Sequence, residues 1–239
     1  MVLNFDGCNL CGGAFGEMTE KQEKQKMPGV KLIIFDLDGT LVDSKYDLAD
    51  SVNFVRSKYG LCPLSVDKVA SYLGSGITAL VKAVLSEVKN ENFDSAVKIF
   101  KDNYAEHLTD KTLPYNGVKE MLSQISVPKV LLSNKDEKFS KRILNTLGLS
   151  RYFTEIYGGD SFKEKKPSPL PIYEIMKKFG LNKQHLVMVG DGANDITAGK
   201  NAGIKTAGVL YGYSSFEKMK ELSPDYTAQT PEEIMKIFS

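Results

Sequence analysis

Two carboxylates stand two residues apart at the end of an apolar run: Asp36 and Asp38, in the segment FDLDGT. Burying such a pair is costly without a cation, and oxygen ligands of this kind suit Mg²⁺, which also binds water and phosphate oxygens. A carboxylate can attack phosphorus to form an aspartyl-phosphate, while a second carboxyl protonates the leaving alkoxide and later deprotonates water. Asp36 fits the first role and Asp38 the second. An Asp-Gly turn after a strand explains Asp38 and Gly39 but leaves Asp36 unexplained.

Two more segments combine apolar runs with groups that could bind phosphate. In LLSNK, residues 131–135, the hydroxyl of Ser133 and the following backbone amides can donate to phosphate oxygens. Alone, this segment could equally be the N-cap of a helix that begins near Asp136. In KKPSP, residues 165–169, a lysine fixed by the following proline could neutralise charge on a transferring phosphoryl group. A pair of lysines by itself is more often part of a solvated loop.

The segment VGDGAND, residues 189–195, places two more carboxylates after an apolar run. Asp191 stands at the predicted strand end, and Asp195 one helical turn later on the same face. Asp191 could bind Mg²⁺ directly, with Asp195 just outside the set of ligands and supporting it. For either aspartate taken singly, an acidic first turn of a helix is a sufficient explanation. The four segments together are more specific than any one of them.

Four short runs rich in Val, Ile and Leu alternate with longer stretches of helical spacing, the pattern of a parallel sheet with crossover helices. These runs are residues 30–35, 129–132, 186–189 and 206–210. The first three end directly at the polar residues described above. Because ligands bind beyond the carboxyl ends of the strands in open α/β sheets, we expect the motifs to meet at one site.

A long insertion, residues 45–112, separates the first two runs and has apolar residues at helical spacing. A flexible turn interrupts it at LGSG, residues 73–76, and PYNG, residues 114–117, follows it. Because the insertion begins just after the first motif, we interpret it as a helical cap over the site. A helix bundle that only packs on the core is the alternative. The predicted core is then residues 30–44 and 113–239.

Residues 1–29 show no clear period and include a stretch rich in Lys, Gln and Glu, which predicts a poorly ordered extension. Met27, just before the first predicted strand, could even be the true start. Cys8 and Cys11 have the spacing of half a zinc site, but no second Cys or His pair is placed to complete four ligands. A zinc-binding module built on them is therefore the weakest alternative.

The composition is that of a globular protein and excludes several partners. The chain has 239 residues, 42% of them hydrophobic and 26% charged, which suits one domain with an insert. Its net charge of +1 gives no broad field to attract nucleic acid or an anionic membrane, so we expect a small phosphorylated metabolite as partner. No apolar run could span a bilayer, and residues 1–29 lack the features of a secretory signal. With three cysteines, we expect a cytoplasmic protein, either a monomer or a homodimer.

In combination, the four segments resemble the haloacid dehalogenase (HAD) superfamily, whose phosphatase members carry DxDGT, a Ser or Thr, a Lys and GDxxxD in this order. The resemblance implies an α/β protein with a Rossmann-like parallel sheet core and an inserted helical cap. It also implies that Mg²⁺ is held by Asp36, the backbone carbonyl of Asp38 and Asp191. Lys166, directly before the proline, and Ser133 would contact the phosphate. The second aspartate of DxD marks phosphoryl transfer in this superfamily rather than dehalogenation.

From about residue 31 to the C-terminus, the chain looks most like the phosphoglycolate phosphatases. SNK stands where these proteins usually have TNK, and GGD at residues 158–160 and YGY at residues 211–213 are further likenesses. The implied activity is hydrolysis of 2-phosphoglycolate, with a glycine-containing cap loop that closes over the substrate. The implied substrate- and phosphate-binding residues are Gly39, Thr40, Ser133, Asn134 and Lys166 in the core and Gly74, Ser75 and Gly76 in the cap.

Related proteins use the same core residues to cleave pyrophosphate, sugar phosphates or nucleotides, or to isomerise sugar phosphates as mutases. Ser133 in place of the commoner Thr and Gly192 in place of a frequent Ser weaken the assignment to one substrate. A protein that binds phosphate without turnover is a further alternative, although the intact carboxylates argue against it. On the cap, Lys45, Arg56 and Lys82 could hold a substrate carboxylate or could be solvated helix residues.

Overall fold

The computed structural model describes residues 27–88 and 93–238. Most of the predicted N-terminal extension, including Cys8 and Cys11, lies outside the described residues. The strands are β1 (Leu32–Phe35), β2 (Val42–Asp43), β3 (Leu113–Pro114), β4 (Lys129–Leu132), β5 (Glu155–Tyr157), β6 (Leu186–Gly190), β7 (Lys205–Val209) and β8 (Tyr226–Ala228). The α-helices are α1 (Lys45–Lys58), α2 (Val66–Ala70), α3 (Ile77–Val84), α4 (Phe93–Glu106), α5 (Val118–Gln124), α6 (Glu137–Thr146), α7 (Leu170–Phe179), α8 (Ala193–Ala202), α9 (Phe216–Leu222) and α10 (Pro231–Phe238). Within these two ranges, no helix has both the length and the apolar character that a membrane span requires.

Six strands form a parallel sheet in the order β5-β4-β1-β6-β7-β8. β1 lies near its centre, with Ile34 opposite Val130 of β4 and Met188 of β6. Four of the strands coincide with the predicted apolar runs to within two residues. The edge strands β5 and β8 escape prediction because each has three residues and mostly half-buried side chains, so no apolar run marks them.

Helices cover both faces of the sheet because successive strand residues point to opposite sides. On β1, Leu32 and Ile34 belong to a buried cluster that includes Ile172 of α7 and extends to α8. Ile33 and Phe35 belong to the cluster on the other face, which includes apolar residues of α5, α6 and α10. The strand is therefore apolar on both sides, which explains its uninterrupted LIIF sequence. This arrangement confirms the predicted α/β class with a Rossmann-like parallel core.

Helices α1 to α4 form an insertion between β2 and β3. These two short strands pair antiparallel, with Val42 opposite Pro114, so the chain leaves and re-enters the sheet domain at neighbouring points. Within the insertion, α1 packs against α2, α3 and α4, and α3 packs against α4. The apolar residues Val52, Val81 and Phe100 are fully buried between them. The insertion is helical, as its apolar spacing predicts.

A buried carboxylate fixes the junction between the insertion and the core. Asp47, in the first turn of α1, accepts hydrogen bonds from the backbone N–H groups of Lys111 at 2.9 Å and Thr112 at 2.8 Å. The Thr112 hydroxyl donates to it at 2.6 Å. The segment by which the chain returns to the sheet is thereby tied to the segment by which it leaves.

Candidate active site

The carboxyl ends of the three central strands β4, β1 and β6 carry the predicted site residues. Asp36 follows β1, Ser133 and Asn134 follow β4, and Asp191 follows β6. The strands are neighbours in the sheet, and the backbone N–H of Asp36 donates to the Val189 carbonyl of β6 at 2.9 Å. The four polar side chains are all buried. The predicted convergence of these segments is therefore present in the fold.

Three carboxylates form a buried cluster at this edge of the sheet: Asp36, Asp191 and Asp195. One carboxylate oxygen of each lies within 4.8 Å of the others. Two glycines allow this close approach. A Cβ on Gly190 would stand 2.3 Å from the Cβ of Asp195, and a Cβ on Gly39 would stand 2.3 Å from Oδ2 of Asp191. Gly39 also has a φ of +81°, a conformation that favours glycine.

The cluster carries more negative charge than its surroundings offset. Burial, followed by the charge of Asp195, raises the pKa of Asp36 to about 7, although Lys166 acts in the opposite direction. Burial, then Asp195 and Asp36, raise the pKa of Asp191 well above its usual range. Buried carboxylate oxygens with uncompensated negative charge are ligands that a hard divalent cation prefers. The donor set of the cluster therefore fits Mg²⁺.

Lys166 lies between two of the carboxylates. Its Nζ donates to Asp36 Oδ1 at 2.8 Å, to Asp195 Oδ1 at 2.6 Å and to the Leu132 carbonyl at 2.5 Å. The other oxygen of Asp195 accepts from the backbone N–H of Gly192 at 3.0 Å, so both of its oxygens have protein partners. Burial lowers the pKa of Lys166, but Asp195 and Asp36 more than offset this, and the pKa is raised. Lys166 is therefore an ammonium directed at Asp36.

The Asp38 carboxylate is not part of the three-carboxylate cluster. It accepts hydrogen bonds from the Ser44 hydroxyl and from Lys135 Nζ, the latter at 3.1 Å. Ser44 is positioned in turn by Tyr213, whose hydroxyl accepts from the Ser44 backbone N–H at 2.8 Å. Asp38 lines the cleft. A contribution of Asp38 to a metal site would come from its backbone carbonyl.

Thr40 and Ser133, two predicted phosphate-binding residues, have different surroundings. The Thr40 hydroxyl lies 3.4 Å from Asp191 Oδ1, so it supports that carboxylate. Ser133 Oγ accepts a 3.3 Å hydrogen bond from the backbone N–H of Lys135. Of these two residues, Ser133 is the one that lines the cleft.

The predicted cap loop, residues Gly74 to Gly76, contacts the core. The Gly74 carbonyl accepts from Nδ2 of Asn134 and from Nδ2 of Asn194, both at 2.9 Å. The Ser75 carbonyl accepts from Lys165 Nζ at 2.6 Å. Residues of three of the sequence motifs therefore hold this loop over the site. Asn134 acts here as an anchor for the loop, while its Oδ1 is buried without a hydrogen-bond partner among the described residues.

A cleft lies between the core and the insertion, beside Asp36. The space in this cleft, counted out into the open solvent at its mouth, is about 440 Å³. The core lines it with polar side chains, and the insertion lines it with glycines and apolar side chains. The lining residues are Asp36, Asp38, Ser133, Asn134 and Lys135 from the core and Leu48, Leu73, Gly74, Gly76, Ile77 and Leu80 from the insertion.

The cationic residues considered for the insertion are not among the residues that line the cleft. Arg56 is 3% exposed, and its guanidinium donates to two backbone carbonyls and to Glu87 inside the insertion. Lys45 forms an ion pair with Asp43 at 3.1 Å, and Lys82 is exposed. Both expectations for Arg56 were therefore wrong, because it is neither solvated nor free to hold a substrate.

Lys135, Tyr104 and Asn194 are among the residues of the site that were not assigned a role from the sequence. Lys135 Nζ donates to the hydroxyl of Tyr104, on α4, at 2.6 Å. For Lys135 and Asn194 the available signal was their position inside the second and fourth motifs. Tyr104 had no such signal, because a fully buried tyrosine in a helix follows the same spacing as other apolar residues.

A parallel sheet with carboxylates at its central strand ends, a buried lysine among them and a helical insertion over them defines a class, the capped α/β enzymes with an acidic site. Residues 33–209 match the family of the haloacid dehalogenase-like hydrolases. The chain belongs to this family.

Similar proteins include several phosphatases. A phosphoglycolate phosphatase of Chromobacterium violaceum is 39% identical over 193 residues, which cover 77% of this chain and 87% of that protein. One of Aquifex aeolicus is 38% identical over 211 residues, covering 87% of this chain and 96% of that protein. The crystal structure of a predicted phosphoglycolate phosphatase of Haemophilus somnus has a TM-score of 0.85 at 32% identity and covers 89% of this chain and all of that one. The chain is thus a phosphatase-type hydrolase of its family.

Proposed function

We propose that this protein is a Mg²⁺-dependent phosphatase that hydrolyses 2-phosphoglycolate through an aspartyl-phosphate on Asp36. One observation carries the proposal. Asp36 lies at the end of β1, lines the cleft and has one oxygen held by Lys166 at 2.8 Å, while the Asp38 carboxylate lines the same cleft but stands outside the acidic cluster. This separates a carboxylate suited to attack from one suited to proton transfer.

In the first step, an oxygen of Asp36 attacks the phosphorus, and the bond between phosphorus and the ester oxygen breaks. Asp38 gives its proton to the departing alkoxide, which leaves as an alcohol. The ammonium of Lys166 offsets negative charge that develops on the phosphoryl oxygens, and the Ser133 hydroxyl donates to one of them.

In the second step, Asp38, now a carboxylate, takes a proton from a water molecule as that water attacks the phosphorus of the aspartyl-phosphate. The bond between phosphorus and Asp36 breaks, inorganic phosphate leaves, and both aspartates return to their starting states. The cap loop restricts water during the first step and admits it for the second.

Asp36, Asp191 and the backbone carbonyl of Asp38 would hold the Mg²⁺ ion, with Asp195 beside them. When bound, the cation supplies positive charge to the phosphoryl oxygens and to the buried carboxylates. The raised pKa values of Asp36 and Asp191 support this part of the proposal, because they indicate a site that lacks positive charge.

The lining of the cleft favours a short leaving group. The insertion presents apolar side chains, among them Leu73, Ile77 and Leu80, which suit a methylene group. A sugar or nucleoside leaving group would bring hydroxyls against this wall, and unpaired buried hydroxyls are costly. The named activity of the relatives agrees with a small, compact ester.

The test is phosphate release from 2-phosphoglycolate with Mg²⁺ and with a chelator, beside pyrophosphate, glucose 6-phosphate and a nucleoside monophosphate. We expect the highest kcat/KM for 2-phosphoglycolate, and loss of turnover on chelation. Metal-dependent release that favours another ester would contradict the substrate assignment and keep the mechanism. Turnover that is insensitive to chelation would contradict the metal assignment.

A further inference from the structure

The Lys135 ammonium is buried at the cleft and is not used by the proposed chemistry. The side chain is 4% exposed, and an ammonium is costly to bury unless it is paired. Its Nζ lies 3.1 Å from Asp38 Oδ1 and 2.6 Å from the Tyr104 hydroxyl. Lys135 is therefore an ammonium that two polar partners hold in place.

The Lys135 ammonium lies next to Asp38, and the leaving group must stand there too. Asp38 delivers its proton to the ester oxygen, so the leaving group begins next to the Asp38 carboxylate. In 2-phosphoglycolate a single methylene joins that oxygen to a carboxylate. A carboxylate one carbon away from an oxygen that faces Asp38 therefore falls within reach of Lys135 Nζ.

The other surroundings agree with this placement. Among the described residues that line the cleft, Lys135 is the one cation, and the facing wall from the insertion is apolar. An ammonium has three donors, and the contacts with Asp38 and Tyr104 use two of them. Within the part of the chain that the structure describes, the third has no partner and could contact a ligand in the cleft.

We propose that Lys135 binds the carboxylate of the leaving group and makes the site selective for short phosphate esters with a second negative charge. The inference rests on the proposed function and extends it, because it moves recognition of the leaving group from the cap to the core. Tyr104 is a positioning residue, since its hydroxyl holds the ammonium from α4.

The test compares kcat/KM for 2-phosphoglycolate and for ethyl phosphate, which has a methyl group in place of the carboxylate. In Lys135→Met, we expect the ratio of the two values to fall by about 10- to 100-fold, the range for loss of a hydrogen bond to a charged group. If the substitution lowers kcat/KM equally for both esters, for example by disturbing Asp38, the ratio does not change. The control Lys138→Met removes an exposed lysine of α6 and leaves the ratio unchanged.

Two further variants keep the test decisive. If Lys135→Met does not fold, the ratio is measured in Lys135→Gln, which keeps a polar side chain but not the charge. In Tyr104→Phe the ammonium loses one anchor, and the ratio falls by a smaller factor than in the Lys135 variants. A wild-type preference for 2-phosphoglycolate that the Lys135 variants retain would overturn the inference alone. A wild-type enzyme that cleaves ethyl phosphate equally well would overturn both the inference and the proposed substrate.

Discussion

Asp36 is the residue on which the chemistry of this site depends. Its neighbours show why it is placed at the end of a buried strand: Lys166 pairs with it, and Asp191 and Asp195 lie close enough to share a cation with it. An ionised carboxylate in such a position is held in one orientation rather than solvated. The carboxylate is therefore held at the cleft.

The substitution Asp36→Asn keeps the shape of the side chain and removes the nucleophile. We expect phosphate release to fall by at least about 10³-fold, since loss of a nucleophile removes the covalent route. The measurement is kcat for the ester that the wild type prefers, with circular dichroism to verify the fold. Asp67→Asn, at an exposed aspartate of α2, is the matched control. Near-normal turnover in Asp36→Asn would rule out the aspartyl-phosphate.

At the scale of elements, the loop of residues 74–76 joins the insertion to the core. Its carbonyls accept from Asn134, Asn194 and Lys165, and none of these side chains takes part in the proposed chemistry. The contacts join α3, which begins at Ile77, to the carboxyl edge of the sheet. These hydrogen bonds therefore couple the position of the insertion to the arrangement of the residues at the carboxyl ends of the strands.

Gly76→Ala tests this coupling. Gly76 has a φ of +84°, and an added Cβ would stand 2.9 Å from the Asn134 carbonyl oxygen, so the loop must move away from the core. We expect kcat/KM to fall by roughly 10-fold because a displaced loop no longer orients the substrate. Gly60→Ala is the control: its φ is +67°, but nothing lies within 4 Å of the new Cβ. It should cost about 1–2 kcal/mol of stability at unchanged kcat/KM. Equal activity of the two variants would contradict the coupling.

The junction of the insertion depends on Asp47. Asp47→Asn replaces one of the two carboxylate oxygens with an amide N–H₂ group, and it removes the charge from the oxygen that stays. We expect a loss of about 2 kcal/mol in the free energy of unfolding, because the buried hydrogen bonds from Lys111 and Thr112 are no longer made to a charged acceptor. Denaturant unfolding measures it. Asp50→Asn, an exposed position one turn away that pairs with Lys111, should cost less than about 1 kcal/mol. A loss in Asp47→Asn as small as this would show that the junction does not depend on the carboxylate.

For the whole molecule, the acidic cluster makes the free energy of unfolding depend on pH and on the binding of a metal ion. Burial raises the pKa of Asp36 from 3.8 to about 7 in the metal-free protein. Between these values the folded chain keeps a proton that the unfolded chain has lost. The stability of the metal-free protein therefore falls as pH rises through this window, and the full penalty is present above about pH 7. A bound cation acts in the opposite direction, because it favours the ionised carboxylates.

Thermal unfolding with and without Mg²⁺ tests this linkage. In chelator, we expect Tm to fall by several degrees between about pH 5.5 and about pH 8. The rise in Tm on adding Mg²⁺ should be larger at the higher pH, because fewer protons must be displaced there. Asp36→Asn should flatten the dependence in chelator. A Mg²⁺ effect of equal size at both pH values would argue that the raised pKa is not linked to metal binding.

The sequence by itself determined the central strands, the helical insertion and the carboxylates that follow β1 and β6. These follow from local features: continuous apolar runs, helical spacing and polar residues directly after a run. The tertiary structure alone decided three other points. Lys135 lies between Asp38 and Tyr104, and Asn194 anchors the cap loop. The guanidinium of Arg56 makes its hydrogen bonds inside the insertion. The reason is physical. Tyr104 and Lys135 are 31 positions apart and Gly74 and Asn194 are 120 apart, so these contacts depend on how the elements pack and on the side-chain directions that packing selects.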